Sequence, residues 1–418
     1  MNEPSQKSFA ALRHPGYRAY FITSALAMMA DNVEHVISYW IVFQKFHSPA
    51  LGGFAIVAHW LPSLIFSVYS GALADRFDPR RIIQLGMLCF MTASLVWGIL
   101  IATDTLEVWH ALVLLVLHGL ASVLWQPASQ VLLHDIIGPK ELQSAVRLNA
   151  SARQLGLLFG PAVGAGLLLL AGPALGILLN VLIYVPTVWW LWKAPYGPRH
   201  RKQPSPLLEN AKTAAASGIA GIVSTIRAIA GNRTIVSMTL LAGGAALFIG
   251  SAYQAQMPEF AHDLGHDKAD ISYSMLLAAD AAGALLAGIV LESRGLLQAR
   301  PRSAFVLAML WCLAIGGFAA SSAYPLSLAL LFVSGFFALA FNSMSQTLVQ
   351  LHAPAQIRGR VIGLYNMSSL GLRAFSGVTV GIVGGLIGIH WSLALSALAL
   401  LALVMGLAAF SMRARPGA

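Results

Sequence analysis

Charge is scarce in this sequence: Asp, Glu, Lys and Arg make up 10% of its 418 residues, against about 25% in soluble globular domains. So few charges cannot clothe a water-exposed surface, which excludes an ordinary soluble domain. Cysteine is scarcer still. Cys89 and Cys312 both lie in apolar runs without a CxxC partner, so neither a disulfide framework nor a cysteine metal site is expected. No G-x-x-x-x-G-K-[ST] segment occurs, which excludes a P-loop ATP drive within this chain. No A-x-A-like site follows Lys7, Arg13 and Arg18, and the apolar run after them is too long for a cleavable signal peptide. The short alternating segments of a membrane β-barrel are absent too. The net charge of +10 does not point to nucleic acid, because the basic residues are dispersed in short runs instead of gathered on one face.

Apolar sequence is what abounds, at 57% of residues. A membrane-crossing helix needs about 20 largely apolar residues. Such runs are read at 17–45, 50–73, 82–103, 108–133, 142–170, 172–193, 234–260, 270–292, 303–321, 325–351, 359–387 and 389–411. Placing both termini on one side gives that side 22 of the 26 Lys and Arg residues. The other side keeps Lys45 and Lys268, while Arg153 and Arg373 fall inside helices. That asymmetry predicts cytoplasmic termini. The one long polar interruption, 194–232, begins PYGPRHRKQPSP and continues through Leu208, Ala211, Ala215, Ile219, Ile222, Ile226 and Ile229. Their 3–4 spacing predicts an amphipathic helix on the inner membrane surface. The chain is thus divided into a six-helix bundle over 1–193, a linker over 194–232 and a second bundle over 233–418. SQVLLHDIIGPKELQSAV (129–146) is echoed by SQTLVQLHAPAQIRGRV (345–361), as expected of duplicated halves with a central binding site.

The most specific motif is GALADRFDPRR, 71–81, between the second and third runs. Here the chain resembles the major facilitator superfamily, whose loop signature is G-x-x-x-D-R-x-G-x-R-R; Asp78 stands where the signature has Gly. The ADRFD-x-RR form, LWQPASQ (124–130) and RGRVIGLYN (358–366) resemble its macrolide-efflux and enterobactin-exporter-like subgroup. The resemblance covers essentially the whole chain. It implies an all-α fold of twelve transmembrane helices in two pseudo-symmetric bundles. It also implies that Gly71, Asp75, Arg76, Arg80 and Arg81 belong to a cytoplasmic gate that stabilises an outward-facing state. A worn counterpart runs from Gly288 to Arg294, with Glu292 at the Asp position. In the fifth run, GLLFGPAVGA places Gly156, Gly160 and Gly164 on one helix face beside Pro161, similar to the antiporter motif of exporters in this superfamily. Such a face permits close helix packing. Position 147, Gly in the long form of that motif, is Arg.

Ionisable residues inside spans are costly and by default functional. Asp31, Glu34, His35 and Ser38 share one face of the first span. With Asp280 in the eighth span, Asp31, Glu34 and His35 are the expected proton-coupling residues. Arg153 is an expected complement to the two carboxylates, and Arg373 to Asp280. The cavity implied by the resemblance is lined by the first, fourth, seventh and tenth spans. Its expected substrate-binding residues are Tyr39, His59, His118, Trp125, Gln126, Arg153, Tyr253, Gln254, Asn342, Gln346 and Arg373. His35, His59 and His118 raise the thought of a transition metal, but they come from three helices with no local ligand spacing, so no metal site and no cofactor are expected.

These features predict a monomeric, proton-coupled exporter of a small amphipathic molecule, a drug or siderophore, surrounded by lipid in a bacterial inner membrane. Import of an anionic metabolite or a metal–siderophore chelate on the same fold is the alternative. A membrane enzyme or lipid-handling protein is a distant one, since no nucleophile–base pair is evident.

Overall fold

The computed structural model describes residues 9–46, 49–198, 219–250, 252–255, 257–265, 272–294, 298–376, 380 and 383–412. They form helices, with no strand among the described residues. The protein is an all-α integral membrane protein with twelve transmembrane helices of the major facilitator fold. Each expected run becomes a helix or a chain of helical pieces. The first four are Pro15–Phe46, Pro49–Arg76, Pro79–Ala102 and Val108–Ile137. The fifth and sixth are the two arms of Leu142–Lys193, divided at Gly172, whose φ of 75° only glycine adopts without strain.

Local chemistry sets many helix starts. Asp78 accepts from Arg80 N–H ahead of the third span, whose first turn holds Pro79. Asn232 does the same for Ile235 N–H ahead of Arg233–Phe248, the opening of the seventh span. The amphipathic helix is seen over Ile219–Ile229; its expected residues Leu208, Ala211 and Ala215 lie outside the described residues.

Among the described residues, eight helices are long and apolar enough by length and composition to cross a membrane. The other four spans are the first, fifth, seventh and eleventh. They correspond in pairs across the duplication. The first and fifth carry Asp31, Glu34 and Arg153. The seventh and eleventh are interrupted, the seventh by a turn at Ile249–Gly250 that follows Arg233–Phe248; beyond the turn, helix is described over Ala252–Ala255 and Met257–Asp263. The eleventh is Arg358–Ser369, a 3₁₀ turn at Gly371–Phe375, and Val383–Ile387. The sequence reading of continuous helices at 234–260 and 359–387 is corrected accordingly. The eighth, ninth, tenth and twelfth spans are Ser272–Arg294, Pro301–Ala320, Tyr324–His352 and Ile389–Met412.

The residues cluster into two compact units. One comprises Ala11–Thr225 with Pro354–Met367, here the N-terminal unit; the other is built mainly from Ile226–Ala353 and Ser368–Ala418. Within the N-terminal unit the first span lies along the fifth. A Cβ on Gly156, Gly160 or Gly164 would run into Met28, Asn32 or Val36 of the first span, so the glycine face brings two backbones together beneath Asp31 and Glu34. In the C-terminal unit the broken spans meet similarly: Gly243 lies against Ser368 and Leu372, and Gly250 against Ser376. Leu169, Leu170, Leu182, Trp189, Trp192, Trp391 and Leu398 are exposed, as lipid-facing residues should be. Lys193 over Trp189 and Arg81 over Trp192 have the character of an interfacial belt.

Candidate functional site

In the N-terminal unit, the first span supplies Asp31, Glu34 and His35, the second His59 and the fourth His118. His118 sits between the carboxylates. Its Nδ1 is 2.8 Å from Glu34 Oε1, and its Nε2 is 2.8 Å from Asp31 Oδ1. The first contact is a hydrogen bond. The second is an ion-pair contact. Ser94 Oγ donates to the other Glu34 oxygen, and Asn180 Nδ2 reaches both Ser94 Oγ and the carbonyl of Ala30. His35 Nδ1 lies 2.8 Å from the Asp31 carbonyl oxygen, and His35 Nε2 lies 3.3 Å from His59 Nδ1. Tyr39 sets its ring edge-on to His35, and Phe90 packs against His118.

Several expectations change in detail. His118, not Arg153, bridges Asp31 and Glu34; Arg153 acts on Asp31 and His59 only through space. Trp125, expected to line a cavity, is buried with its ring against Phe90. The histidines, dismissed as scattered, come together: one ligand atom from each of His35, His59 and His118 lies within 4.8 Å of the others. Ser94 and Asn180 were missed. The available signal was polarity in mid-span, since an Asn or Ser there needs a partner.

The C-terminal unit holds a second, sparser site. Asp280 of the eighth span accepts from Tyr253 Oη at 3.2 Å and from Gln254 Nε2 at 3.4 Å. Both donors sit just beyond the turn at Ile249–Gly250 that interrupts the seventh span. The other carboxylate oxygen, Oδ1, is buried without a hydrogen-bond partner. The expected Asp280–Arg373 pair is not formed; Arg373 Nε donates to Ser369 O one turn earlier. Asn342 donates to Ala338 O of its own helix, and Gln346 is half-buried on the same span.

The 71–81 loop divides its work. Asp75 accepts from Gly359 N–H at 2.5 Å and Arg360 N–H at 2.9 Å, capping the helix Arg358–Ser369. Gly71, Gly359 and Gly363 let the second span approach that helix backbone to backbone. Gln130 of LWQPASQ donates to Asn366 of RGRVIGLYN at 3.1 Å. Arg80 and Arg81 work elsewhere. Arg80 pairs with Asp78 and reaches Ala194 O, while Arg81 binds Gln84. Arg76 lies over Phe77. Asp78, the departure from the signature, is therefore a helix cap and an ion-pair partner.

Comparison with known proteins agrees with this architecture. The family described as transmembrane secretion effectors matches residues 6–416. The enterobactin exporter EntS of Shigella boydii is 23% identical over 398 residues, covering 89% of this chain and 86% of that protein. The staphyloferrin A transporter of Staphylococcus aureus is 22% identical over 152 residues, 36% of this chain and 38% of that one. Among solved structures, the Escherichia coli fucose:proton symporter FucP superposes with a TM-score of 0.72 at 12% identity, over 96% of this chain and 100% of FucP. At that identity the likeness shows the fold alone.

Proposed function

The chain belongs to the transmembrane secretion effector family of the major facilitator superfamily, and from that premise we propose that it exports a small amphipathic organic molecule, of the siderophore or drug class, from the bacterial cytoplasm. The protein acts as a monomer in the inner membrane, with both termini in the cytoplasm, and the proton gradient drives it. Likeness to an enterobactin exporter along 89% of the chain supports the direction and the class of cargo.

The observation that carries the mechanism is the half-satisfied carboxylate of Asp280. Asp31 and Glu34 are already engaged by His118, so the coupling proton is assigned to Asp280 and not to the first-span group. Tyr253 and Gln254 sit on an interrupted helix, where unwound backbone offers more than one arrangement. Asp280 exchanges a proton for a cargo donor group as that segment shifts. The Asp75 clamp on Gly359 and Arg360 holds the cytoplasmic side shut in one state and releases it in the other. The test is transport of a catecholate siderophore and of a cationic drug in inside-out vesicles. Accumulation on acidifying the lumen supports export. Accumulation only in right-side-out vesicles contradicts it.

A second reading, uptake of an anionic molecule, draws on Arg153, which has no ion-pair partner within 4.0 Å among the described residues. The same vesicle pair, loaded with a labelled tricarboxylate, separates the two readings by direction.

A further inference from the structure

We propose that His35, His59 and His118, with the carboxylate of Asp31, bind one divalent first-row transition-metal ion inside the N-terminal unit. The proposal is independent of the cargo assigned above.

The spacing fits. Two nitrogens bound at about 2.0–2.1 Å to a tetrahedral ion stand roughly 3.4 Å apart. His35 Nε2 and His59 Nδ1 are 3.3 Å apart. A ligand atom of His118 falls within the same 4.8 Å span. Asp31 Oδ1, 2.8 Å from His118 Nε2, supplies a fourth donor.

The hydrogen-bond pattern aims the lone pairs. The carbonyl of Asp31 can only accept, so His35 Nδ1, 2.8 Å away, carries its hydrogen and leaves Nε2 bare. Glu34 Oε1 accepts from His118 Nδ1 in the same way, so an ion can take the place of the proton on His118 Nε2, which faces Asp31 Oδ1. Asp31 Oδ1 lies 2.8 Å from that nitrogen, close enough for both atoms to bind one ion. Metal-binding histidines characteristically donate their second nitrogen to a carboxylate or a backbone carbonyl. Both arrangements are present here, and Ser94 and Asn180 brace the carboxylate behind His118.

Charge and access agree. Asp31 faces the dication and Glu34 lies behind His118, with Arg153 at longer range lowering the affinity without occupying a donor. Three imidazoles and a carboxylate suit Zn²⁺, Fe²⁺, Co²⁺ or Ni²⁺, whereas Mg²⁺ and Ca²⁺ prefer all-oxygen shells. The His35 side chain is 19% exposed and His59 is partly exposed, so an ion has a way in, while His118 at 5% forms the floor.

The test uses the full-length protein in detergent, stripped with a chelator and titrated with Co²⁺ and Zn²⁺. The parent should bind one Co²⁺ per chain with the visible absorption of a four-coordinate nitrogen–oxygen site, and Zn²⁺ should raise its unfolding temperature. His59→Asn and Asp31→Asn should each weaken binding at least tenfold, and His390→Asn, in the other unit, should not. Because a variant can lose its fold, the unfolding temperature without metal is read alongside. A variant that unfolds like the parent yet binds less supports the site. A parent that binds no Co²⁺, or a well-folded His35→Asn, His59→Asn double variant that binds like the parent, overturns it. A protein that transports normally but binds no metal overturns this inference alone.

Discussion

In the N-terminal unit, Glu34 gives both carboxylate oxygens to partners, Ser94 and His118, on helices that run unbroken past the site. In the C-terminal unit, Asp280 gives one oxygen to Tyr253 and Gln254 and leaves the other without a partner among the described residues, beside a span interrupted by a turn at Ile249–Gly250. The contrast between the two units follows from physical cause. A closed polar network in a low-dielectric interior is strong when complete and expensive to open. An interrupted helix has already given up backbone hydrogen bonds, so its side chains can change partners at modest cost. The first arrangement suits holding a fixed charge; the second suits a step in a cycle.

The largest expected effect comes from opening the closed network. Glu34→Ala strands the imidazole of His118 and should cost about 3–5 kcal/mol, read as a drop in unfolding temperature of the purified protein. Asp280→Asn keeps shape and one hydrogen bond, and should cost no more than about 1 kcal/mol. Equal losses in the two variants would erase the comparison. Next is the clamp. Asp75→Ala removes two charge-assisted hydrogen bonds, each contributing about 1.5–3 kcal/mol. Labelling of a Ser70→Cys probe by a water-soluble maleimide, with Cys89 and Cys312 replaced by Ala, should then rise severalfold; unchanged labelling would mean that the helix Arg358–Ser369 is held by packing alone.

The smallest effect is at the surface. Lys45 holds the Asp104 carboxyl below its ordinary range. A depressed carboxylate stabilises above its unfolded pKa and loses that contribution as pH falls through the folded value. Asp104 is 92% exposed, however, and water and salt screen the pair. Lys45→Gln should leave the unfolding temperature unchanged from neutral pH down to the acid range; a clear shift at neutral pH would show that this contact matters more than its exposure allows.

Much of this was legible from residues alone. The apolar runs anticipate the spans because lipid demands long, internally bonded helices. Asp31, Glu34 and His35 share a face by spacing alone. The gaps have physical causes as well. The break at Gly250 is a positive-φ glycine among many glycines, and nothing local distinguishes it. The 3₁₀ turn at Gly371–Phe375 sets Leu372 against Gly243 of the seventh span, a contact between distant segments that local composition does not announce. The histidine cluster is assembled from three helices, so no local spacing can announce it. Arg153 was the natural electrostatic match for Asp31 on paper; His118 takes that place because its two nitrogens fit between two carboxylates on one helix face.

The most direct test of the division between a holding site and a moving one is transport in proteoliposomes under an imposed pH gradient, comparing the parent with Asp280→Asn and Asp31→Asn. Gradient-driven transport should fall at least tenfold in Asp280→Asn, while Asp31→Asn should keep its response to the gradient. Undiminished gradient response in Asp280→Asn, with loss confined to Asp31→Asn, would contradict the account.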